Sequence, residues 1–159
     1  MWKINFAPYF DYCSCVWAST SKGLSDKLQR LQNRSARIIK QANYETRSSD
    51  LLNELGWEKL EDRRINQLAV TMYKINNDLS PSYLKNIFTQ TMNKHSYNLR
   101  NSSINLHVPR PHSEAGKSSF HYRGASLWNK IPAEVRTQSN VISFKKQLNI
   151  KELISGMST

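Results

Sequence analysis

Residues 24–42 read LSDKLQRLQNRSARIIKQA, and this stretch sets the expectation for the fold of the whole chain. Its apolar and small residues recur at alternating steps of four and three, which is the spacing of one face of an α-helix. The members of this row are Leu24, Leu28, Leu31, Ser35, Ile38 and Ala42. We therefore predict a long helix that buries this row in a core, within a mainly α protein.

A second row in the same stretch is basic. Its residues have the same helical spacing and lie on the neighbouring face of the helix. Its members are Lys27, Arg30, Arg34 and Arg37, and Asp26 is the only acid in the stretch. One interpretation is a solvated flank of the helix. The other is a surface that lies along a phosphate backbone. The spacing fits both interpretations.

Further helices are predicted on either side of this one. Residues 2–20 contain several aromatic side chains and favour a helix that packs them into a core. A short helix over residues 50–55 should end at Gly56 in the left-handed conformation. A long helix over residues 57–76 should bury Ile65, Leu68, Met72 and Ile75. Ser80 and Pro81 should start a third helical element, with Leu84, Ile87 and Phe88 facing inward.

The pattern changes after residue 93. Partial alternation predicts short strands around residues 98–100 and 105–110, with a further strand possible over residues 118–122. A short helix over residues 123–130 should bury Leu127 and Trp128 and stop before Pro132. A last helix should be capped by Ser143. We therefore predict one domain over residues 1–159, a small helical domain of about six helices with a short irregular antiparallel β element. Residues 1–93 form its helical part, and residues 94–159 its basic, aromatic-containing part.

The chain is strongly basic, with a formal net charge of +11 over 159 residues and a pI of about 9.8. The excess lies at the two ends of the sequence, around a middle in which acids and bases balance. This charge predicts affinity for a polyanion, and nucleic acid is the partner that it favours. No apolar run is long enough to span a membrane. The first residues do not read as a signal peptide, so we expect an intracellular protein that is not secreted.

The motifs of common enzymes and metal sites are missing from the sequence. Cys13 and Cys15 are its only cysteines, and no second pair completes a zinc site. The five glycines are scattered singly, so there is no phosphate-binding glycine loop. We therefore expect no metal and no cofactor, and for this chain alone no enzymatic activity.

Several blocks, in their order and spacing, resemble the C-terminal portion of the reverse transcriptase polyprotein of non-LTR (LINE-type, jockey-like) retrotransposons. The blocks are FDYCS at 10–14, VW at 16–17, LQRLQNRSARII at 28–39, YNLRN at 97–101, SFHYRGASLWNKIP at 119–132 and FKK at 144–146. The resemblance covers most of the chain, from about residue 8 to about residue 148. It places the chain after the catalytic core of an RNA-directed DNA polymerase. The Asp-Asp pair that holds the metal ions in such polymerases is absent here.

The resemblance implies a non-catalytic fragment that helps a polymerase hold template RNA or target DNA, with nucleic acid and the rest of the reverse transcriptase as its partners. The alternatives are a structural module that packs on the polymerase core, and a decayed element copy without function. The candidate nucleic-acid-binding residues are Lys27, Arg30, Arg34, Arg37, Arg100, Arg110, Lys117, Arg123, Lys130, Lys145 and Lys146.

Overall fold

The structure is a computed structural model, and it describes Ser14, residues 21–93 and residues 104–148. Within residues 21–93 and 104–148 there are eight α-helices and one 3₁₀ turn, Thr91–Asn93. The helices are α1 Lys22–Lys40, α2 Ser48–Glu54, α3 Leu60–Asn76, α4 Ser82–Lys85, α5 Glu114–Ser118, α6 Phe120–Lys130, α7 Ala133–Arg136 and α8 Val141–Gln147. The prediction of a mainly α protein is confirmed. Of the helix predicted over residues 2–20, only Ser14 is described, and it is helical and buried.

The chain divides into two compact units, Met1–Ile65 and Asn66–Thr159, so the boundary falls inside α3. In the first unit, Ala36 of α1 forms a small apolar core with Leu51 and Leu52 of α2. Gly56 follows α2 with a φ of 61°, which confirms its predicted left-handed conformation. The backbone N–H of Trp57 then donates to the carbonyl of Leu52 at 2.8 Å, so the chain reverses tightly there.

The buried face of α1 differs from the face that the sequence predicts. Leu24, Leu31 and Ile38 are 51%, 55% and 69% exposed, whereas Gln32 is only 5% exposed. The Gln32 Nε2 atom donates to the backbone carbonyl of Glu58 at 3.0 Å. The neighbouring Gln29 Oε1 atom accepts from the backbone N–H of Leu60 at 3.0 Å. Because the amides of Gln32 and Gln29 satisfy the backbone at the start of α3, Gln32 can be buried at low cost. Of the predicted row, Leu24, Leu31 and Ile38 face outward, whereas Leu28, Ser35 and Ala42 are half-buried.

Because Gln32 is buried and Leu31 is exposed, substitution of the polar residue should destabilise the protein more than substitution of the apolar one. Gln32→Ala should lower the free energy of unfolding by about 0.5–1.5 kcal/mol, because the hydrogen bond from the buried Gln32 amide to the carbonyl of Glu58 is lost. Leu31→Ala should change it by no more than about 0.5 kcal/mol, because that side chain is mostly exposed and both residues favour helix. Guanidinium unfolding followed by circular dichroism measures both values. A larger loss for Leu31→Ala than for Gln32→Ala would show that the apolar row is buried after all.

Aromatic residues from α3, α6 and α8 meet in the core of the second unit. Tyr73 and Phe144 have ring centroids 4.5 Å apart, and Phe144 also stacks on Trp128 at 6.5 Å. The Tyr73 hydroxyl donates to the backbone carbonyl of Gln138 at 2.5 Å. At Gly124 a Cβ atom would lie 2.7 Å from the sulfur of Met72, so α6 approaches α3 closely at this point. Burial of the predicted α3 row Ile65, Leu68, Met72 and Ile75 is confirmed.

The predicted β element is reduced, among the described residues, to one isolated antiparallel bridge between Gln90 and Leu106. The predicted strand over residues 105–110 forms no other pairing there, and the strand predicted over 98–100 lies outside the described residues. The strand predicted over 118–122 is wrong. Ser119 is the N-cap of α6, and its Oγ atom accepts from the backbone N–H of Tyr122 at 3.3 Å, so helix begins at Phe120.

Three smaller predictions also need correction. The side chain of Asn140, and not that of Ser143, caps α8, and its Oδ1 atom accepts from the Ser143 N–H at 2.7 Å. Pro81 occupies the N-cap position of α4, one residue before the helix. Ile87 is exposed, whereas Phe88 beside it is buried as predicted. In the described part of the chain, no helix is long and apolar enough to cross a membrane.

Candidate nucleic-acid interface

Lys27, Arg30 and Arg34 lie together on one exposed face of α1. Helical rise places the first and last of them about 10 Å apart along the axis. None of the three makes a hydrogen bond or an ion pair with another described residue. Because the three side chains are exposed, an outside anion can reach them, and the exposure of this part of the basic row agrees with its sequence spacing.

Arg37, the fourth member of the row, has a different environment. Its Nη2 atom donates to the backbone carbonyl of Thr46 at 3.1 Å, and its guanidinium lies 5.5 Å from the centre of the Tyr44 ring. The side chain is half-buried. These contacts attach the turn after α1 to the helix, so Arg37 has a structural task that the other three cations do not have.

An apolar row lies beside the cations on the same face of α1. Leu24, Leu31 and Ile38 recur every seven residues, so they lie nearly above one another along the helix. All three are more than half exposed. The outward face of α1 is thus part cationic and part aliphatic, which the sequence did not predict because it placed these residues in the core.

The remaining candidate cations are in the second unit, on several different elements. Arg110 is exposed in the coil before α5, and Lys145 and Lys146 are exposed on α8. Arg123 is half-buried on α6, and Lys130 is exposed at its end. These residues do not share one helical face as the α1 cations do. Arg100 lies outside the described residues.

Lys117 on α5 is paired within the chain. Its Nζ atom lies 2.6 Å from the carboxylate of Glu114, one helical turn earlier. The hydrogen bond to Glu114, together with its negative charge, raises the pKa of Lys117 above the ordinary value. A ligand phosphate would have to compete with this carboxylate, so Lys117 is a weaker candidate than the unpaired cations of α1.

The segment that carries the strongest sequence resemblance has a structural task in the second unit. Trp128 is 3% exposed, which confirms its predicted burial, and its indole N–H donates to the carbonyl of Ile104 at 3.2 Å. Asn129 holds the backbone of Leu106 with both ends of its amide. Its Oδ1 accepts from the Leu106 N–H at 2.8 Å, and its Nδ2 donates to the Leu106 carbonyl at 2.7 Å.

Arg136 completes this attachment, and its role has no signal in the sequence. The guanidinium is buried, and its Nη1 atom donates to the carbonyl of Ile104 at 3.2 Å and to Asn105 Oδ1 at 2.9 Å. It also lies 5.8 Å from the centre of the Trp128 ring. Burial lowers the pKa of Arg136, although a guanidinium stays charged at neutral pH. Trp128, Asn129 and Arg136 therefore fix residues 104–106 against α6 and α7.

In the described part of the chain, no group of three or more His, Cys, Asp or Glu side chains is arranged to hold a metal ion.

The described fold thus defines a small, mainly helical, basic protein with one exposed cationic helix face. No protein-family model, no curated protein and no solved structure matches the chain. The retrotransposon resemblance stays a hypothesis that rests on the sequence blocks alone.

Proposed function

We propose that this chain is a non-catalytic nucleic-acid-binding module, the C-terminal part of a non-LTR retrotransposon reverse transcriptase, and that the outward face of α1 contacts phosphates. The observation that carries the proposal is the set of three exposed cations Lys27, Arg30 and Arg34, which have no acidic partner among the described residues. The proposal places the chain inside the cell, where template RNA and target DNA are found.

The electrostatics of α1 support a phosphate ligand. Like charges three or four residues apart on a helix repel by a few tenths of a kcal/mol per pair. Asp26 is the only acid on α1, and it precedes Arg30 by four residues, so a single carboxylate lies beside a row of three cations. A nucleic-acid strand would relieve the repulsion, because its phosphates supply several negative charges within the length of the row.

A second candidate function is docking of α1 on another protein, such as the core of the polymerase. The exposed row Leu24, Leu31 and Ile38 favours it, because an apolar row of this kind usually contacts another protein surface. The two functions respond differently to salt. Phosphate contacts weaken steeply as salt rises, whereas apolar docking does not.

The first test is a salt titration of binding by the full chain. We expect labelled single-stranded RNA and duplex DNA to bind, with a dissociation constant that rises between about 50 and 200 mM salt. The slope of log affinity against log salt should be about −2 to −3 if the three exposed cations Lys27, Arg30 and Arg34 each meet a phosphate. Fluorescence anisotropy measures it. Absence of binding at the lowest salt, or an affinity that does not change with salt, would contradict the proposal and favour docking on a protein.

A further inference from the structure

A cleft of about 570 Å³ opens in the second unit. Its volume falls within the range of small-molecule sites in proteins. Its apolar lining consists of Ile75, Phe88 and Leu106, and all three are buried. These residues come from the end of α3, from the segment after α4 and from the segment that Asn129 holds.

The wall of the cleft is fixed by backbone hydrogen bonds. The N–H of Thr91 donates to the carbonyl of Asn105 at 2.9 Å, and the N–H of His107 donates to the carbonyl of Thr89 at 2.8 Å. The amide of Asn129 holds Leu106 from the other side. The cleft is therefore shaped before any ligand arrives, which lowers the ordering cost of binding.

The rim is rich in side-chain amides that have no other task in the described structure. Asn86, Gln90 and Asn93 are exposed and line the cleft, and none of their side chains bonds to another described residue. Asn76 also lines the cleft, and its Nδ2 atom donates to the carbonyl of Met72 at 2.8 Å, so its Oδ1 atom has no hydrogen-bond partner among the described residues. Each amide offers both a donor and an acceptor.

The described lining of the cleft has little net charge. Lys85 is the only charged residue among the described lining residues, and its Nζ atom lies 2.7 Å and 2.8 Å from the two carboxylate oxygens of Asp78. Because this pair is neutral overall, the described lining does not favour an anion. An apolar lining with side-chain amides at the rim instead suits a flat, uncharged group that has apolar faces and a hydrogen-bonding edge.

We propose that this cleft binds an unstacked nucleobase. The side-chain amides of Asn86, Gln90 and Asn93 contact the edge of the nucleobase, and Phe88 and Leu106 contact its ring. Adenine is the base that fits best, because its N6 and N7 atoms present the donor and acceptor that an Asn or Gln amide can bind together. The inference rests on the proposed nucleic-acid binding, since a single strand held by the protein would deliver the base.

The test compares RNA with and without bases. The wild-type chain should bind an oligoadenylate of about 12 nucleotides roughly tenfold or more tightly than an abasic ribose-phosphate strand of equal length. The double variant Asn86→Ala/Asn93→Ala should lose most of this preference, with its salt slope unchanged. The matched control Asn43→Ala/Asn53→Ala, which changes two exposed asparagines of the first unit, should keep it. A cleft variant with the same preference as the wild type would overturn the inference.

Free adenosine separates a failure of this inference from a failure of the proposed function, because it carries no phosphate. NMR titration with adenosine should shift the side-chain amide signals of Asn86 and Asn93. If these shifts occur while RNA binding proves insensitive to salt, the phosphate proposal fails and the cleft stands. If RNA binding depends on salt while adenosine leaves both signals unmoved, the phosphate proposal stands and the cleft does not bind a base.

Discussion

Trp128→Ala should lower the free energy of unfolding by about 3–5 kcal/mol, the usual cost of removing a buried aromatic side chain. The indole is 3% exposed and stacks on Phe144 with ring centroids 6.5 Å apart. Its loss would leave a cavity beside α8, and the Ile104 carbonyl would retain only the donor from Arg136. Guanidinium unfolding followed by circular dichroism measures the change.

Tyr83→Ala is the matched control, because Tyr83 is an aromatic residue of the same unit that is mostly exposed. It should change stability by no more than about 0.5 kcal/mol. A different result for Trp128 would change the structural role that we assign to residues 119–132. A Trp128→Ala variant that keeps its stability but loses RNA binding would mean that the indole is a stacking surface for bases.

The triple variant Lys27→Gln/Arg30→Gln/Arg34→Gln should bind RNA more weakly by on the order of 100-fold near 0.1 M salt. Each phosphate contact contributes close to one power of the salt concentration to the affinity, and three contacts are removed. Arg37 is kept, because its bond to Thr46 stabilises the turn after α1. The three replaced side chains are exposed, so the fold should stay intact.

The control variant must carry the same loss of charge at other positions. Arg47, Lys59 and Lys74 are exposed and lie away from the α1 cations in the sequence. Changing these three to Gln should weaken RNA binding only a few-fold, through the lower net charge of the protein. Equal losses in the two triple variants would show that binding follows total charge and has no site on α1.

The helical character of the protein was predictable because long helices leave a periodic signal. On α3, Leu68, Met72 and Ile75 recur with helical spacing, and all three are buried. The turn at Gly56 was predictable for a local reason, since glycine adopts a positive φ without a steric penalty. The N-cap role of Ser119 is also a local feature, although the sequence over residues 118–122 is compatible with a strand.

The buried face of α1 could not be predicted from periodicity. Gln29 and Gln32 are polar, and a pattern of apolar residues places such side chains in solvent. Their side chains form hydrogen bonds with the backbone of Leu60 and Glu58, which are distant in the sequence. A contact of this kind depends on tertiary structure and leaves no local trace.

The candidate site was predictable to a similar degree. The spacing of Lys27, Arg30 and Arg34 was enough to place them on one face, and the structure leaves that face exposed. Arg37 is half-buried because its side chain donates to the carbonyl of Thr46, which lies beyond the end of α1. The cleft had no signal, because Ile75, Phe88 and Leu106 are distant in sequence and come together through tertiary contacts such as the Gln90–Leu106 bridge.

The central claim is that α1 contacts phosphates, and NMR of the arginine side chains tests it most directly. The Nε–Hε signals of Arg30 and Arg34 should shift on addition of a single-stranded RNA of about 12 nucleotides, and the shifts should reverse as salt is raised. If both signals stay in place while RNA binds, and the signals of Arg110, Lys145 and Lys146 move instead, then α1 is not the interface and the account is contradicted.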